Sequence, residues 1–97
     1  MQKRTKTGQA KHDKKVLQRA EYYKKKGASY VRVDLPGQVK PPKLGGKIPD
    51  LYIRLNGELI VEEIETKQSL NTDKKQQEIL KSETKKKGGK FKVTVAK

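Results

Sequence analysis

"IPDLYIRLNGELIVEEIETKQ" (residues 48–68) decides the fold of this chain. It holds two apolar, β-branched runs, "DLYIRL" (50–55) and "ELIVEEIET" (58–66), on either side of Asn56-Gly57. Asn-Gly is the strongest short hairpin signal, because a type I′ turn needs positive φ at both central residues. A two-residue loop also fixes the register. Leu55 faces Glu58, Arg54 faces Leu59, Ile53 faces Ile60, Tyr52 faces Val61 and Leu51 faces Glu62, so Asp50 falls opposite Glu63. Paired residues share a face, with Cβ atoms about 4.5–5.5 Å apart. Glu65 and Lys67 follow at steps of two and project from the same face, Glu65 diagonal to Asp50. Glu62 points the other way, beside Ile60 and Ile64, and Glu58 is solvated at the turn.

Asp50, Glu63 and Glu65 therefore converge at one end of the hairpin. Two bare carboxylates about 5 Å apart repel by roughly 3 kcal/mol at an effective dielectric of about 20. Lysines can relieve that repulsion, and Lys47 and Lys67 are close enough to do so; a divalent cation relieves it more directly. Cysteine is absent and His12 is the single histidine, which removes thiolate chemistry, disulfides and Cys/His zinc sites. A metal here is bound by oxygen, which favours Mg²⁺, Mn²⁺ or Ca²⁺.

Outward from the hairpin, Val16, Ala20 and Tyr23 recur at helical spacing within about Gln9–Lys26, and Gly27 follows as a C′ glycine. "SYVRVDL" (29–35) alternates as a strand, and "PGQVKPPKLGGK" (36–47) is a loop by its prolines and glycines. Asn71 or Thr72 would cap a second helix, with Asp73 in its first turn, running to about Lys87 before Gly88-Gly89. "KFKVTVAK" (90–97) makes a last strand. The order is α-β-β-β-α-β in one domain, residues 9–97, behind a flexible basic arm, residues 1–8.

Lys and Arg number 25 against 11 acids, a net charge of +14, which points to a polyanion, DNA or RNA, as partner. The lysines carry no strongly apolar helical face, which argues against a membrane surface, and no run approaches the roughly 18 apolar residues of a span. The N-terminus lacks the apolar segment of a signal peptide. With 31% hydrophobic residues the core is thin, so a homodimer would add needed burial. Tyr30 and Tyr52 are read as packing residues, with base stacking as the alternative. His12, on the Val16 side of its helix, is read as an ordinary surface or core-edge residue.

"IPDLYI", then "IETKQ", then a glutamine on the next helix, resembles the PD-(D/E)XK nuclease superfamily, whose restriction-endonuclease-like core has this αβββαβ order around a mixed four-stranded sheet. The length and the "KKKGASYVRV…GGKIPDLYI" run are most similar to archaeal-type Holliday junction resolvases and small virus-type replication-repair nucleases. The resemblance covers roughly Asp13 to Val95. It implies a Mg²⁺- or Mn²⁺-dependent endonuclease on duplex or branched DNA, in the cytoplasm of a prokaryotic, archaeal or virus-infected cell. By position Pro49-Asp50 is the "PD", with Asp50 the central metal ligand. Glu65-Thr66-Lys67 matches "(D/E)-x-K": Glu65 is the second ligand, the Thr66 carbonyl a third, and Lys67 positions the attacking water. A rival alignment reads Glu63-Ile64-Glu65, with Glu where the family has Lys. Gln76 matches the accessory glutamine, with Gln77 competing, and Asp13 or Glu21 would be the assisting acid of the first helix. Phosphates would meet Lys40, Lys43 and Lys47 in the loop and Lys24, Lys25 and Lys26 at the helix end. The alternatives are a catalytically inactive nuclease-fold DNA-binding protein and a basic RNA-binding protein.

Overall fold

Asn56 and Gly57 both adopt positive φ, 52° and 78°, and reverse the chain as the type I′ turn requires. The computed structural model describes residues 6–67, 69–70 and 73–96. The turn joins β2 (Leu51–Leu55) to β3 (Glu58–Glu65), and the ladder runs without a bulge from Leu55↔Glu58 to Leu51↔Glu62. β1 (Tyr30–Val33) pairs antiparallel with β2, and β4 (Lys90–Val95) pairs parallel with β3. The protein is thus α/β, with order αβββαβ and a mixed sheet β1-β2-β3-β4 flanked by two helices. A parallel neighbour needs a crossover, and α2 (Lys74–Lys86) supplies it between β3 and β4.

The strand period places the two helices on opposite faces. α1 (Lys6–Lys25) buries Val16, Ala20 and Tyr23 against Val33, Leu51, Ile53 and Ile64. α2 buries Leu80 against Leu59 and Val61, the alternate residues of β3, with Leu44 from the long loop completing that smaller cluster. α1 begins at Lys6, so residues 6–8, expected in the basic arm, form its first turn; residues 1–5 lie outside the described residues. The N-cap of α2 is Asp73, one step later than the expected cap; Asn71 and Thr72 are also outside the described residues.

Gly45, one of the loop glycines, has a structural reason. Its φ is +59° and a Cβ would meet Ile79 Cγ2 at 2.6 Å, so the loop seats its backbone directly on α2. On the α1 face, Glu62 is fully buried and fully satisfied. Arg19 Nε donates to its Oε2 at 2.7 Å and Nη2 to its Oε1 at 3.1 Å. Tyr23 donates its hydroxyl proton to Oε1, and Thr94 Oγ1 donates to Oε2 at 2.8 Å. Burial would push the Glu62 carboxyl up, but these donors outweigh it and hold the group below its ordinary range.

Candidate functional site

The hairpin register carries past the last ladder pair and sets Asp50 against Glu63. The Asp50 backbone N–H donates to Glu63 Oε2 at 2.8 Å, and the Ile64 N–H donates to Asp50 Oδ2 at 2.9 Å. Each carboxylate is thus held by backbone of the opposite strand. Gln76, in the first turn of α2, donates Nε2 to Glu63 Oε1 at 2.9 Å, so the helix start that favours negative charge faces the pair. From the other helix, His12 Nε2 lies 3.2 Å from Asp50 Oδ1, while its Nδ1 lies 3.0 Å from Asp13 Oδ1. Gln9 Nε2 holds that Asp13 oxygen at 2.7 Å.

Burial and the neighbouring Asp50 charge push the Glu63 carboxyl up to about 9; the hydrogen bond from Gln76 opposes this and does not win. Near neutral pH Glu63 therefore keeps its proton. Asp50 opens onto a cleft of about 540 Å³, lined also by His12 and Gln76 and by Lys40, Lys43 and Lys47, with Glu63 buried behind it. Asp34 and Asp73 also line it. Asp34 takes Lys40 at 3.2 Å, and Asp73 makes no side-chain cap hydrogen bond to α2. A carboxylate beneath a rim of lysines is an arrangement whose charges could take a phosphate group.

The structure brings together Asp50, Glu63 and Gln76 through hydrogen bonds at the hairpin end. Glu63, of the three converging acids, is the one bonded to Asp50. Glu65 is buried one step further along the same face of β3, and Lys67 is exposed beyond the strand end. The ladder from Leu55↔Glu58 to Leu51↔Glu62 keeps the counted register, and the Asp50 N–H bond to Glu63 continues it. The geometry corresponds to the alignment Glu63-Ile64-Glu65. The Thr66 carbonyl is not open as a ligand: it accepts from Leu70 N at 3.0 Å and from the Ser69 hydroxyl at 3.4 Å, closing the turn after β3. Gln77 donates to the Leu70 carbonyl at 3.2 Å and supports that turn, leaving the site to Gln76.

Among the first-helix acids, Asp13 reaches the site only through His12, and exposed Glu21 pairs with Lys24 at 3.7 Å. Lys24, Lys25 and Lys26 lie at the far end of α1, roughly 18 Å along the helix from His12, and do not line the cleft. His12, read from sequence as an edge residue, is 3% exposed. Its signal was its spacing: it lies one turn before Val16 on the buried stripe, at the level where the hairpin ends.

No family model, curated protein or solved structure matches the chain.

The donor set fits a magnesium-type cation in chemistry. Among the described residues no group of three His, Cys, Asp or Glu side chains forms a metal cage. Two carboxylates with a carboxamide behind one of them leave the remaining ligands to water and phosphate, which is the habit of Mg²⁺ and not of Ca²⁺ or zinc.

Proposed function

We propose that the chain is a Mg²⁺- or Mn²⁺-dependent endodeoxyribonuclease of PD-(D/E)XK type, acting on duplex or branched DNA in the cytoplasm. One observation carries the reading. Asp50, in a cleft rimmed by Lys40, Lys43 and Lys47, is locked at the end of a hairpin to the buried Glu63, which Gln76 backs. Asp50 and Glu63 would hold the cation, which when bound supplies Lewis-acid stabilisation of charge on the phosphate.

The chain's own residues do the rest. Gln76 fixes the rotamer of Glu63, and the Ile64 N–H fixes that of Asp50, with His12 3.2 Å away from the opposite helix. The three rim lysines hold phosphates and so set the position of the scissile bond without reading sequence. No helix among the described residues is long and apolar enough to cross a membrane.

The test is nicking of supercoiled plasmid and cleavage of a labelled four-way junction in Mn²⁺. Wild type should cut at least one of them, and Asp50→Ala should cut neither while binding DNA with unchanged salt dependence. Binding without cutting in both proteins would leave a DNA-binding domain only. Preference for RNA with no effect of Mn²⁺ on stability would point to the RNA-binding alternative.

A further inference from the structure

The half of the sheet that neither helix covers carries a second pattern. Val31 and Val33, like Leu51 and Ile53, turn towards α1, so Tyr30, Arg32, Tyr52 and Arg54 project from the opposite face. On that face α2 packs against β3 and β4 and does not reach β1 or β2. All four side chains remain partly exposed.

The register arranges them as a checkerboard. Tyr30 pairs with Arg54 and Arg32 with Tyr52, so each aromatic ring has a guanidinium across from it. The two rings meet diagonally, centroids 5.8 Å apart at 72°, and Arg32 Cζ lies 4.8 Å from the Tyr30 centroid. Tyr52 leans on the Leu44–Leu80 cluster and so also packs the core, whereas Tyr30 joins neither apolar cluster. β1 and β2 themselves carry no acid on this face; Asp34 and Asp50 follow two residues beyond Arg32 and Tyr52, about 6.8 Å along the strands.

We infer that this face is a stacking platform for unpaired bases of a DNA strand, centred on Tyr30 and Tyr52, with Arg32 and Arg54 taking the adjoining phosphates. Aromatic rings interleaved with cations are the chemistry that binds single strands, because stacking needs a base face that a duplex keeps covered. A strand laid along β2 from Arg54 past Tyr52 enters the Asp50–Glu63 cleft within about one nucleotide. The inference rests on the nuclease reading for its choice of DNA, and it narrows the substrate to DNA with an unpaired stretch beside the scissile bond, such as a flap or an open branch.

The test is fluorescence anisotropy with labelled oligo-dT, an abasic strand of equal length, a blunt duplex and oligo-U, all in chelator so that nothing is cut. Wild type should bind oligo-dT more tightly than the abasic strand. Tyr30→Ala should weaken oligo-dT binding about ten-fold while leaving the abasic strand and the duplex unchanged, and Tyr30→Phe should restore it. If Tyr30→Ala melts early, Tyr30→Leu, which keeps apolar bulk without a π face, should show the same selective loss. Equal losses on all ligands, or none on oligo-dT, would overturn the platform, and tighter binding of oligo-U would overturn its assignment to DNA. A selective Tyr30 effect in a protein that cleaves nothing would uphold the platform and reject the nuclease; cleavage without a Tyr30 effect would do the reverse.

Discussion

Asp50 and Glu63 hold each other through main chain: the Asp50 N–H binds the Glu63 carboxyl, and the N–H following Glu63 binds the Asp50 carboxyl. The reciprocity makes the pair rigid, and it crowds two acids in a buried place. Glu63 responds by keeping its proton up to about pH 9, against an ordinary value of 4.5.

That shift gives a stability profile with a definite sign. Between pH 4.5 and 9 the unfolded chain releases the Glu63 proton while the folded chain keeps it, so this contribution is complete below 4.5 and is lost as pH rises towards 9. In chelator the melting temperature of wild type should fall from pH 5 to pH 9 relative to Glu63→Gln, which has no proton to lose. A difference between the two proteins that stays constant over this range would contradict the buried, protonated Glu63.

A cation at the same place should replace the proton. At pH 8, millimolar Mn²⁺ should raise the melting temperature of wild type and have no effect on Asp50→Asn or Glu63→Gln. Equal shifts in all three proteins would mean that the ion binds elsewhere.

The two alignments of the hairpin end separate by single substitutions. Glu63→Ala should abolish Mn²⁺-dependent nicking, whereas Lys67→Ala, exposed beyond β3, should cut within about three-fold of wild type. Loss of nicking in Lys67→Ala alone, with folding intact by circular dichroism, would reinstate the lysine alignment.

On the far face, removing one member of the Arg19–Glu62 pair strands a buried charge. Arg19→Ala should cost about 3–5 kcal/mol in denaturant unfolding. Arg19→Met combined with Glu62→Leu should lose less than either substitution alone, since no charge is then left unpaired. A double variant as unstable as the sum of its singles would show that the two side chains do not act as a unit.

Gly45→Ala should destabilise by about 1–3 kcal/mol, because the position has φ +59° and the added methyl would meet Ile79, whose β-branched side chain is stiff. Adding Ile79→Ala should recover the steric part and leave the backbone part. No change on adding Ile79→Ala would mean that the strain alone accounts for the loss.

What the residues disclosed in advance is what local rules govern. Asn56-Gly57 permits one register, and the register placed Asp50 opposite Glu63 and turned Glu62 to the other face before any coordinate. The order αβββαβ followed from strand and helix periods in the same way. Asp50, Glu65 and Lys67 share a face by period, so the residues alone left open whether Glu63 or Glu65 stands with Asp50; the hydrogen bond that joins Asp50 to Glu63 is seen only in the fold. Partners that depend on how a helix is docked were not legible. Arg19 meets Glu62 across 43 residues, and His12 meets Asp50 only because α1 ends its buried stripe at the hairpin end. The 36–47 loop has no period to read, so its seating on α2 through Leu44 and Gly45 appeared only in three dimensions.

His12, Asp50, Glu63 and Gln76 each come from a different segment: the first helix, the approach to the second strand, the third strand and the second helix. A chain still emerging from the ribosome already carries its positive charge, yet it has no assembled Asp50–Glu63–Gln76 cluster until the second helix docks. If the chain cuts DNA as proposed, that competence would arrive in a single late step of folding, and partially synthesised or nicked chains would lack it.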